Sequence, residues 1–310
     1  MTATAPNPTA TGRGHLTAFS AALASMTLVG AATPVLALLG DYPAFAGQAI
    51  RFALGGLILT ALIPLTADRS RREPVEPGDW VKLAAIGLTG VALFNVFLLQ
   101  ALEHSDPSAV GTVIGGVPVA LAVVSPLLAG RRPSPRILAA AGVVTAGIAV
   151  TEGLGGGTWA GLAWGAAALT VEVASHLIAA AVVPKLGAVR VAAMVSLAAV
   201  PMLAGAAFVE DGANAFPAPT GAEWLALAYL GVLGTAVAFT LWFTSLPVIG
   251  VERAGLCAGA APVAAVAASW LLGTEPPHPA GALGAVLVAA GLAIGMWRRR
   301  RGPETIRMDA

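Results

Sequence analysis

The chain has 310 residues, of which 57% are hydrophobic and only 11% are charged, and its mean hydropathy is +0.82. Soluble domains carry about 25% charged residues, so this composition excludes a soluble globular protein and predicts a polytopic membrane protein. The formal net charge of +1 says little by itself, and the single cysteine, Cys257, excludes an internal disulfide.

Apolar stretches long enough to cross a bilayer follow one another along the whole chain. About 20 apolar residues span the hydrocarbon core as a helix. With that length as a ruler, the sequence predicts ten transmembrane helices, at 17–39, 44–66, 80–102, 107–129, 135–152, 158–183, 187–208, 223–246, 251–273 and 279–297. Turn residues or charges separate them. The predicted fold is therefore an all-α polytopic membrane protein, with a short tail at 1–16 and a basic tail at 298–310.

The Lys and Arg residues of the loops sort to one side of the predicted membrane, which sets the orientation. With the N-terminus inside, the cytoplasmic ends collect Arg13, Arg69, Arg71, Arg72, Lys82, Arg131, Arg132, Arg136, Lys185, Arg253, Arg298 to Arg301 and Arg307. The opposite loops hold no Lys or Arg, only acids such as Asp41 and Asp106. We therefore expect a multi-pass protein of the cytoplasmic membrane, held in the lipid bilayer with both termini inside.

The second half of the chain repeats the first. A shift of 144 residues aligns Asp79 and Trp80 with Glu223 and Trp224, and GGVPVALAVVS at 115–125 with GAAPVAAVAAS at 259–269. Each copy, 17–152 and 153–297, holds five predicted helices. Because five is odd, the second copy enters the membrane the other way up. Such inverted repeats are the architecture of secondary transporters, which alternate access around a site near the membrane midplane.

Several of these features resemble the drug/metabolite transporter superfamily, in its EamA branch. They include the two five-helix repeats, an Arg early in the second helix of each copy (AIRFA at 49–53, AVRVA at 188–192), LLGTEPP at 271–277 and a last helix with Gly at 281 and 291. The resemblance implies a ten-helix carrier, usually an exporter of amino acids, metabolites or small toxic compounds. It also implies a central cavity lined by helices one, three, four, six, eight and nine. The family's Glu after the fourth helix is present as Glu275, but the first copy has Arg131 there.

Predicted helix six carries an acid and a histidine deep in an apolar run, in TVEVASHL at 170–177. Glu172 and His176 are four residues apart and therefore share one face. A bare charge at mid-depth costs about 2.5–3.5 kcal/mol, so each group is expected to be neutral, paired or in a wet cavity. This pattern suits a pair that couples transport to protons or binds substrate. A mutual hydrogen bond that only packs the helix is the alternative.

Three further side chains are predicted to line the substrate pathway. Asn95 in helix three is the repeat partner of Phe239 in helix eight, where Trp242 follows three residues later. A few polar groups among apolar walls suit an amphipathic organic substrate. The alternatives are an interhelical hydrogen bond for Asn95 and lipid contact for Trp242.

Two arginines lie inside predicted helices two and seven, at matching places in the two copies. For Arg51 and Arg190 the sequence leaves three interpretations open: snorkelling to the headgroups, a structural ion pair, or a substrate contact. Asp41 and Asp106 are the candidate ion-pair partners of Arg51.

Small residues and prolines recur at matching places in helices four and nine. The spacing Gly111-x3-Gly115 and its copy Gly255-x3-Gly259 lets two helix backbones meet closely, which predicts helix packing. Pro118 and Pro262 follow these glycines and are expected to kink or loosen their helices, with a role in gating as the further hypothesis.

The sequence as a whole favours a secondary active transporter, a proton-coupled exporter of small organic solutes working by alternating access. Its expected partners are a small-molecule substrate, protons and lipid, with no nucleic acid, metal or cofactor. The alternatives are a lipid or isoprenoid-carrier flippase, a membrane-embedded enzyme, and a scaffold or sensor subunit. The substrate, and whether the protein is a monomer or a homodimer, are left open.

Overall fold

The computed structural model describes residues 12–65, 74–153, 156–273 and 279–296, and ten helical segments run through them. They are α1 (Gly12–Ala37), α2 (Ala44–Leu62), α3 (Pro77–His104), α4 (Pro107–Ile114 and Val117–Leu128), α5 (Pro135–Glu152), α6 (Trp159–Leu186), α7 (Ala188–Asp211), α8 (Gly221–Ile249), α9 (Val251–Leu271) and α10 (Pro279–Met296). Short 3-10 turns follow α2 at Ile63–Leu65 and α7 at Gly212–Asn214.

The prediction of an all-helical membrane protein is confirmed. Across the described ranges, nine helices are long and apolar enough to cross a bilayer, and the remaining helix, α5, is apolar over the shorter stretch Pro135–Thr151. No β-strand occurs in these ranges, which contain only an isolated bridge between Ser105 and Gly157. The loop cations Arg69, Arg71 and Arg72, the acid Glu275, residues 1–11 of the first predicted tail and the whole basic tail at 298–310 lie outside the described residues.

Helices of each five-helix copy pack against helices of the other copy. Helix α1 of the first copy packs on α8 and α9 of the second, and α6 of the second copy packs on α3 and α4 of the first. Repeat counterparts also meet each other directly, and the most extensive of these contacts join α2 with α7 and α5 with α10. Counterparts meet each other in this way when two copies are related by a pseudo-twofold axis. The six helices α1, α3, α4, α6, α8 and α9 are also those that the sequence resemblance assigns to a central cavity.

Local structure repeats at the same 144-residue shift as the sequence. Helix α3 begins with a capping box in which Asp79 accepts from the Glu76 amide, and α8 begins with one in which Glu223 accepts from the Thr220 amide, at 3.2 and 2.6 Å. Further along, each helix widens into a π-helical segment, Leu88–Leu93 in α3 and Val232–Val237 in α8. Such segments shift the register of the helix and are frequent at functional sites.

Glycines let α5 and α10 approach until their backbones touch. A Cβ built on Gly284 of α10 would meet the Thr151 hydroxyl and would lie only 2.6 Å from the Gly147 carbonyl oxygen. A Cβ on Gly147 would likewise lie 2.9 Å from the Gly284 carbonyl oxygen. In lipid, where apolar surface alone does not drive helices together, such close backbone packing is a main source of association.

Gly284→Ala is expected to lower the thermal unfolding midpoint in detergent. The added methyl must push α5 and α10 apart, and overpacking of this kind costs about 1–3 kcal/mol. Gly142→Ala on α5 is the matched control, because a Cβ there meets nothing within 4 Å. It should leave the midpoint unchanged or raise it, since Ala favours a helix over Gly by about 1 kcal/mol. Equal midpoints for the two variants would contradict the packing described for Gly284.

Charged contacts join helix ends at one end of the bundle. Lys185, at the end of α6, lies 2.7 Å from Asp79 and 3.0 Å from Glu76 at the start of α3. Arg131, after α4, pairs with Glu252 at the start of α9 at 2.8 Å. This is the end predicted to face the cytoplasm, and that orientation stays a prediction.

At the opposite end a tyrosine makes the corresponding contact. The Tyr42 hydroxyl, just before α2, donates to the Pro217 carbonyl before α8 at 3.0 Å. Burial, together with the nearby Glu223 carboxylate, raises the pKa of Tyr42 above its usual value, so the phenol keeps the proton that it donates.

Candidate functional site

Helix α6 holds the two ionisable groups and is anchored where it begins. The Thr158 hydroxyl caps its first turn by accepting from the Gly161 amide at 3.1 Å, and donates to the His104 carbonyl at the end of α3 at 2.7 Å. The helix then runs for 28 residues without a break. At 1.5 Å per residue, Glu172 lies about 20 Å along its axis from the first residue.

Glu172 has a carboxylate oxygen without a partner. The residue is half-buried, and its Oε2 atom is shielded from solvent and accepts no hydrogen bond. Among the described residues no Lys, Arg or His side chain forms an ion pair with it, and the mutual hydrogen bond with His176 is not formed. A buried polar group left in this way costs about 1–3 kcal/mol, and more if it is charged. The carboxylate is therefore available to a proton or to a ligand.

His176 joins α6 to α8. Its ring lies 5.0 Å from the Trp242 ring, centroid to centroid, at an interplanar angle of 46°. Its Nδ1 atom is 3.4 Å from the Ser175 hydroxyl. Trp242 is 3% exposed, which rules out the lipid-contact alternative, and its indole Nε1 is buried and has no acceptor. The structure thus brings an unpaired acceptor, an imidazole and an unpaired donor together across two helices.

A second group of aromatic rings, which begins one turn before Trp242, joins α8 to α2. Phe239, one turn earlier on α8, lies 5.8 Å from the Phe243 ring and 6.0 Å from the Phe52 ring of α2. The Arg51 guanidinium carbon lies 4.7 Å from the centre of the Phe52 ring, a cation–π contact. The row runs from Arg51 through Phe52 and Phe239 to Phe243, and the contact between Trp242 and His176 is a separate ring pair that also involves α8.

Arg51 lacks the ion pair that the sequence offered it. Neither Asp41 nor Asp106 pairs with it in the described part of the chain, because Asp106 instead accepts from the Gly156 amide at 2.7 Å. Its Nε atom is buried and has no acceptor. The ion pair with these loop acids, one of the three interpretations that the sequence left open, is therefore not formed. Its repeat counterpart Arg190 is the third residue of α7 and is half-buried.

Asn95 is turned toward its own helix. Its Nδ2 atom donates to the Val91 carbonyl at 2.7 Å, within the π-helical segment of α3. None of the contacts described for Asn95 joins it to Glu172, His176 or Trp242. An interhelical hydrogen bond is not formed either. The pathway role predicted for Asn95 stays a prediction.

The glycines and prolines of α4 and α9 lie at helix–helix contacts and at helix breaks. A Cβ on Gly115 would meet Ile148 of α5, one on Gly255 would lie 2.8 Å from Leu121 of α4, and one on Gly259 would meet Val144 of α5. Helix α4 breaks between Ile114 and Val117, and α9 tightens into a 3-10 turn at Cys257–Gly259. Gly111 accepts the Gly115 amide at 2.8 Å just before the first break, and Pro118 and Pro262 follow the breaks.

Three residues that pack around the site, Gly90 against Ser175 among them, have no strong sequence signal. Phe52 and Ser175 are ordinary residues in an apolar helix, and Gly90 is one of many glycines. The 144-residue shift, which pairs Gly90 with Gly234, was the only available pointer. In the described ranges no group of three or more His, Cys, Asp or Glu side chains is placed to hold a metal.

Comparison with known proteins identifies relatives over nearly the whole chain. The model of the EamA-like transporter family matches residues 16–152 and 159–297. The uncharacterized transporter YetK of Bacillus subtilis is 22% identical over 292 residues, which cover 92% of this chain and 88% of that protein. The aromatic amino acid exporter YddG of Ancylobacter novellus is 28% identical over 274 residues, 84% of this chain and 91% of that protein. A solved crystal structure matches with a TM-score of 0.75 at 24% identity over 90% of this chain and 97% of its own, which shows a shared fold.

Proposed function

Because the chain belongs to the EamA-like transporter family, within the drug/metabolite transporter superfamily, we propose that it is a proton-coupled exporter of small organic solutes in the cytoplasmic membrane. Its relatives are transporters, so the alternative of a membrane-embedded enzyme is set aside. Export and coupling to protons are the proposal's own steps. They are supported by the chemistry of the site on α6 and α8.

One observation carries the proposal: Glu172 Oε2 and Trp242 Nε1 are both buried and unpaired, and His176 lies between α6 and α8 beside them. Orphaned buried polar atoms are rare in folded proteins, and each calls for a ligand, a proton or a water. An unpaired acceptor on α6 and an unpaired donor on α8, with the His176 ring against Trp242, suit a solute that carries both a donor and an acceptor.

The cycle we propose has the solute and the proton use the same carboxylate in turn. With the site open to the cytoplasm, Glu172 releases its proton to that side, and the solute binds to the carboxylate that is left. After the bundle reopens to the outside, a proton enters by way of His176, neutralises Glu172 and displaces the solute. The protonated site then returns. Because the two occupants exclude each other, the inward proton gradient drives outward solute movement.

Amino acids with apolar or aromatic side chains are the first substrates to test. One relative is named as an exporter of aromatic amino acids. Here, the rings of Phe52, Phe239 and Phe243 offer an apolar wall, and Arg51 at its end offers a cation that pairs with no acid among the described residues. An ammonium group suits Glu172, and a carboxylate suits Arg51.

The test is transport by the purified wild-type protein in liposomes. An imposed pH gradient, acidic on the side corresponding to the cell exterior, is expected to drive labelled phenylalanine or tryptophan toward that side. Collapse of the gradient with a protonophore should stop accumulation and leave exchange intact. Accumulation that ignores the gradient would contradict proton coupling, and a labelled lipid that moves between leaflets instead would favour a flippase.

A further inference from the structure

Helix α6 touches the π-helical segment of α3 beside the proposed proton site. A Cβ built on Gly90, within that segment, would lie 2.7 Å from both the Cβ and the hydroxyl oxygen of Ser175. Ser175 is 4% exposed. Side-chain atoms do not approach so closely, so only a glycine at 90 leaves room for the serine.

The repeat shows that this contact differs between the copies. Gly234, in the π-helical segment of α8, is the counterpart of Gly90, and a Cβ there would lie 3.4 Å from the Ala32 Cβ of α1. That distance is an ordinary van der Waals contact. The contact between α1 and α8 therefore involves an alanine, whereas the equivalent contact between α6 and α3 involves a tightly fitted serine.

The Ser175 hydroxyl also contacts the histidine that follows it. Its proton goes to the Glu172 carbonyl oxygen at 2.8 Å, so the hydroxyl oxygen has only lone pairs to offer His176 Nδ1 at 3.4 Å. In a neutral histidine this arrangement favours the tautomer that carries its hydrogen on Nδ1. The Nε2 atom is then the one left to accept a proton.

We propose that Ser175 is a positioning residue for His176. The α3 segment at Gly90 holds the serine hydroxyl against His176, and the packing of α3 on α6 therefore sets how readily His176 Nε2 takes up a proton. While α3 packs on α6, the Ser175 hydroxyl is held in place and the His176 tautomer is fixed. When the helices separate, the hydroxyl is released and that preference is lost. Movement of α3 is in this way linked to proton loading on α6. The inference rests on the proposed proton-coupled function.

Few other ionisable groups surround His176. On its own helix Glu172 lies one turn away, and the neighbour from α8 is Trp242, which does not titrate. The segment Leu88–Leu93 and helix α4 contain no titratable residue. The titratable side chains of the other packed regions lie toward helix ends: Asp79, Lys82, Glu103 and His104 on α3, Arg190, Glu210 and Asp211 on α7, and Glu252, Arg253 and Cys257 on α9.

The first test is Ser175→Ala, which removes the hydroxyl and keeps the Cβ that packs on Gly90. The pH midpoint of gradient-driven transport should move by about half a pH unit or more, equivalent to a change of about threefold in proton affinity. The thermal midpoint and the rate at the optimal pH should stay close to those of the wild type. A pH profile that superimposes on the wild-type profile would overturn the inference.

The second test approaches the same contact from α3. Gly90→Ala should displace Ser175 and reduce transport, whereas Gly234→Ala, the matched control in the other copy, should transport like the wild type. Adding Ser175→Gly to Gly90→Ala makes room again. The double variant should recover its rate but keep the shifted pH midpoint of Ser175→Ala. If it recovers the wild-type midpoint as well, Ser175 serves packing alone and the inference is wrong.

These outcomes are separable from a failure of the proposed function. If Glu172→Gln still responds to a pH gradient, the coupling site is wrong whatever Ser175 does. If Glu172→Gln is uncoupled and Ser175→Ala keeps the wild-type pH midpoint, the proposed function stands and only the role of Ser175 falls.

Discussion

Glu172→Gln is expected to give a protein that is at least as stable as the wild type and that no longer couples transport to protons. The Glu172 Oε2 atom is buried without a partner, so its charge opposes folding, and a neutral amide of the same shape removes that cost. The thermal midpoint in detergent should therefore stay or rise. Most substitutions in a core do the opposite, which makes the sign of this change informative.

The functional loss should be large. Removing one charged partner of a buried polar contact costs about 2–5 kcal/mol, which is a loss of roughly 30-fold to several thousandfold in affinity for a solute with an ammonium group. Accumulation against a pH gradient should disappear, because the amide has no proton to exchange. Transport by Glu172→Gln at the wild-type rate with a normal response to the gradient would remove Glu172 from the mechanism.

Glu172→Asp is the matched control. It keeps an exchangeable proton but withdraws the carboxylate by about one carbon–carbon bond, so it should still respond to the gradient, with weaker solute affinity. Stability and coupling are read from the same preparations, by thermal unfolding in detergent and by uptake in liposomes. A loss of coupling in Glu172→Asp as complete as in Glu172→Gln would show that position, and not the proton, is what the variant disturbs.

The architecture is well predicted from the sequence, because the membrane and the internal repeat both constrain where helices can lie. Length and apolarity predict the helices, and the 144-residue shift predicts that the Trp80 and Trp224 helices are equivalent. The structure reproduces that shift in the capping boxes of α3 and α8 and in their π-helical segments. The π-helical segments themselves were not foreseen. In a run of small apolar residues such as LTGVAL, no polar face marks where the helical period widens.

The residues of the candidate site also differ in how well the sequence predicts them. Glu172 and His176 are conspicuous because ionisable residues are rare at that depth. Phe52 and Ser175 are not, since an aromatic residue or a serine in a membrane helix has many ordinary explanations. Asn95 and Phe239 align in the repeat, yet Asn95 bonds within α3 while Phe239 packs on Phe52 of α2. Alignment identifies equivalent positions, but each copy surrounds them with different partners.

Arg51→Gln should abolish a preference for substrates that carry a carboxylate. Arg51 lies against Phe52 with its Nε unpaired, and among the described residues no acid forms an ion pair with it. A guanidinium placed in this way binds a carboxylate through charge-assisted hydrogen bonds. The wild type is therefore expected to favour phenylalanine over phenylalaninamide by about a hundredfold in competition assays, since a site built for a polar group rejects an analogue lacking it. In Arg51→Gln the two compounds should compete about equally, within roughly threefold, because the amide side chain offers no charge.

Two controls separate substrate recognition from packing. Arg51→Lys keeps the charge but loses the planar pair of donors, so it should retain part of the preference. Arg190→Gln alters the repeat counterpart, which lies outside the aromatic row, and should leave the preference unchanged. Because Phe239 and Trp242 are one turn apart on α8, a carboxylate bound at Arg51 places the rest of the solute along α8, toward His176 and Glu172. A full preference for the carboxylate in Arg51→Gln would mean that the solute lies in another orientation, with its acid held by the Trp242 indole instead.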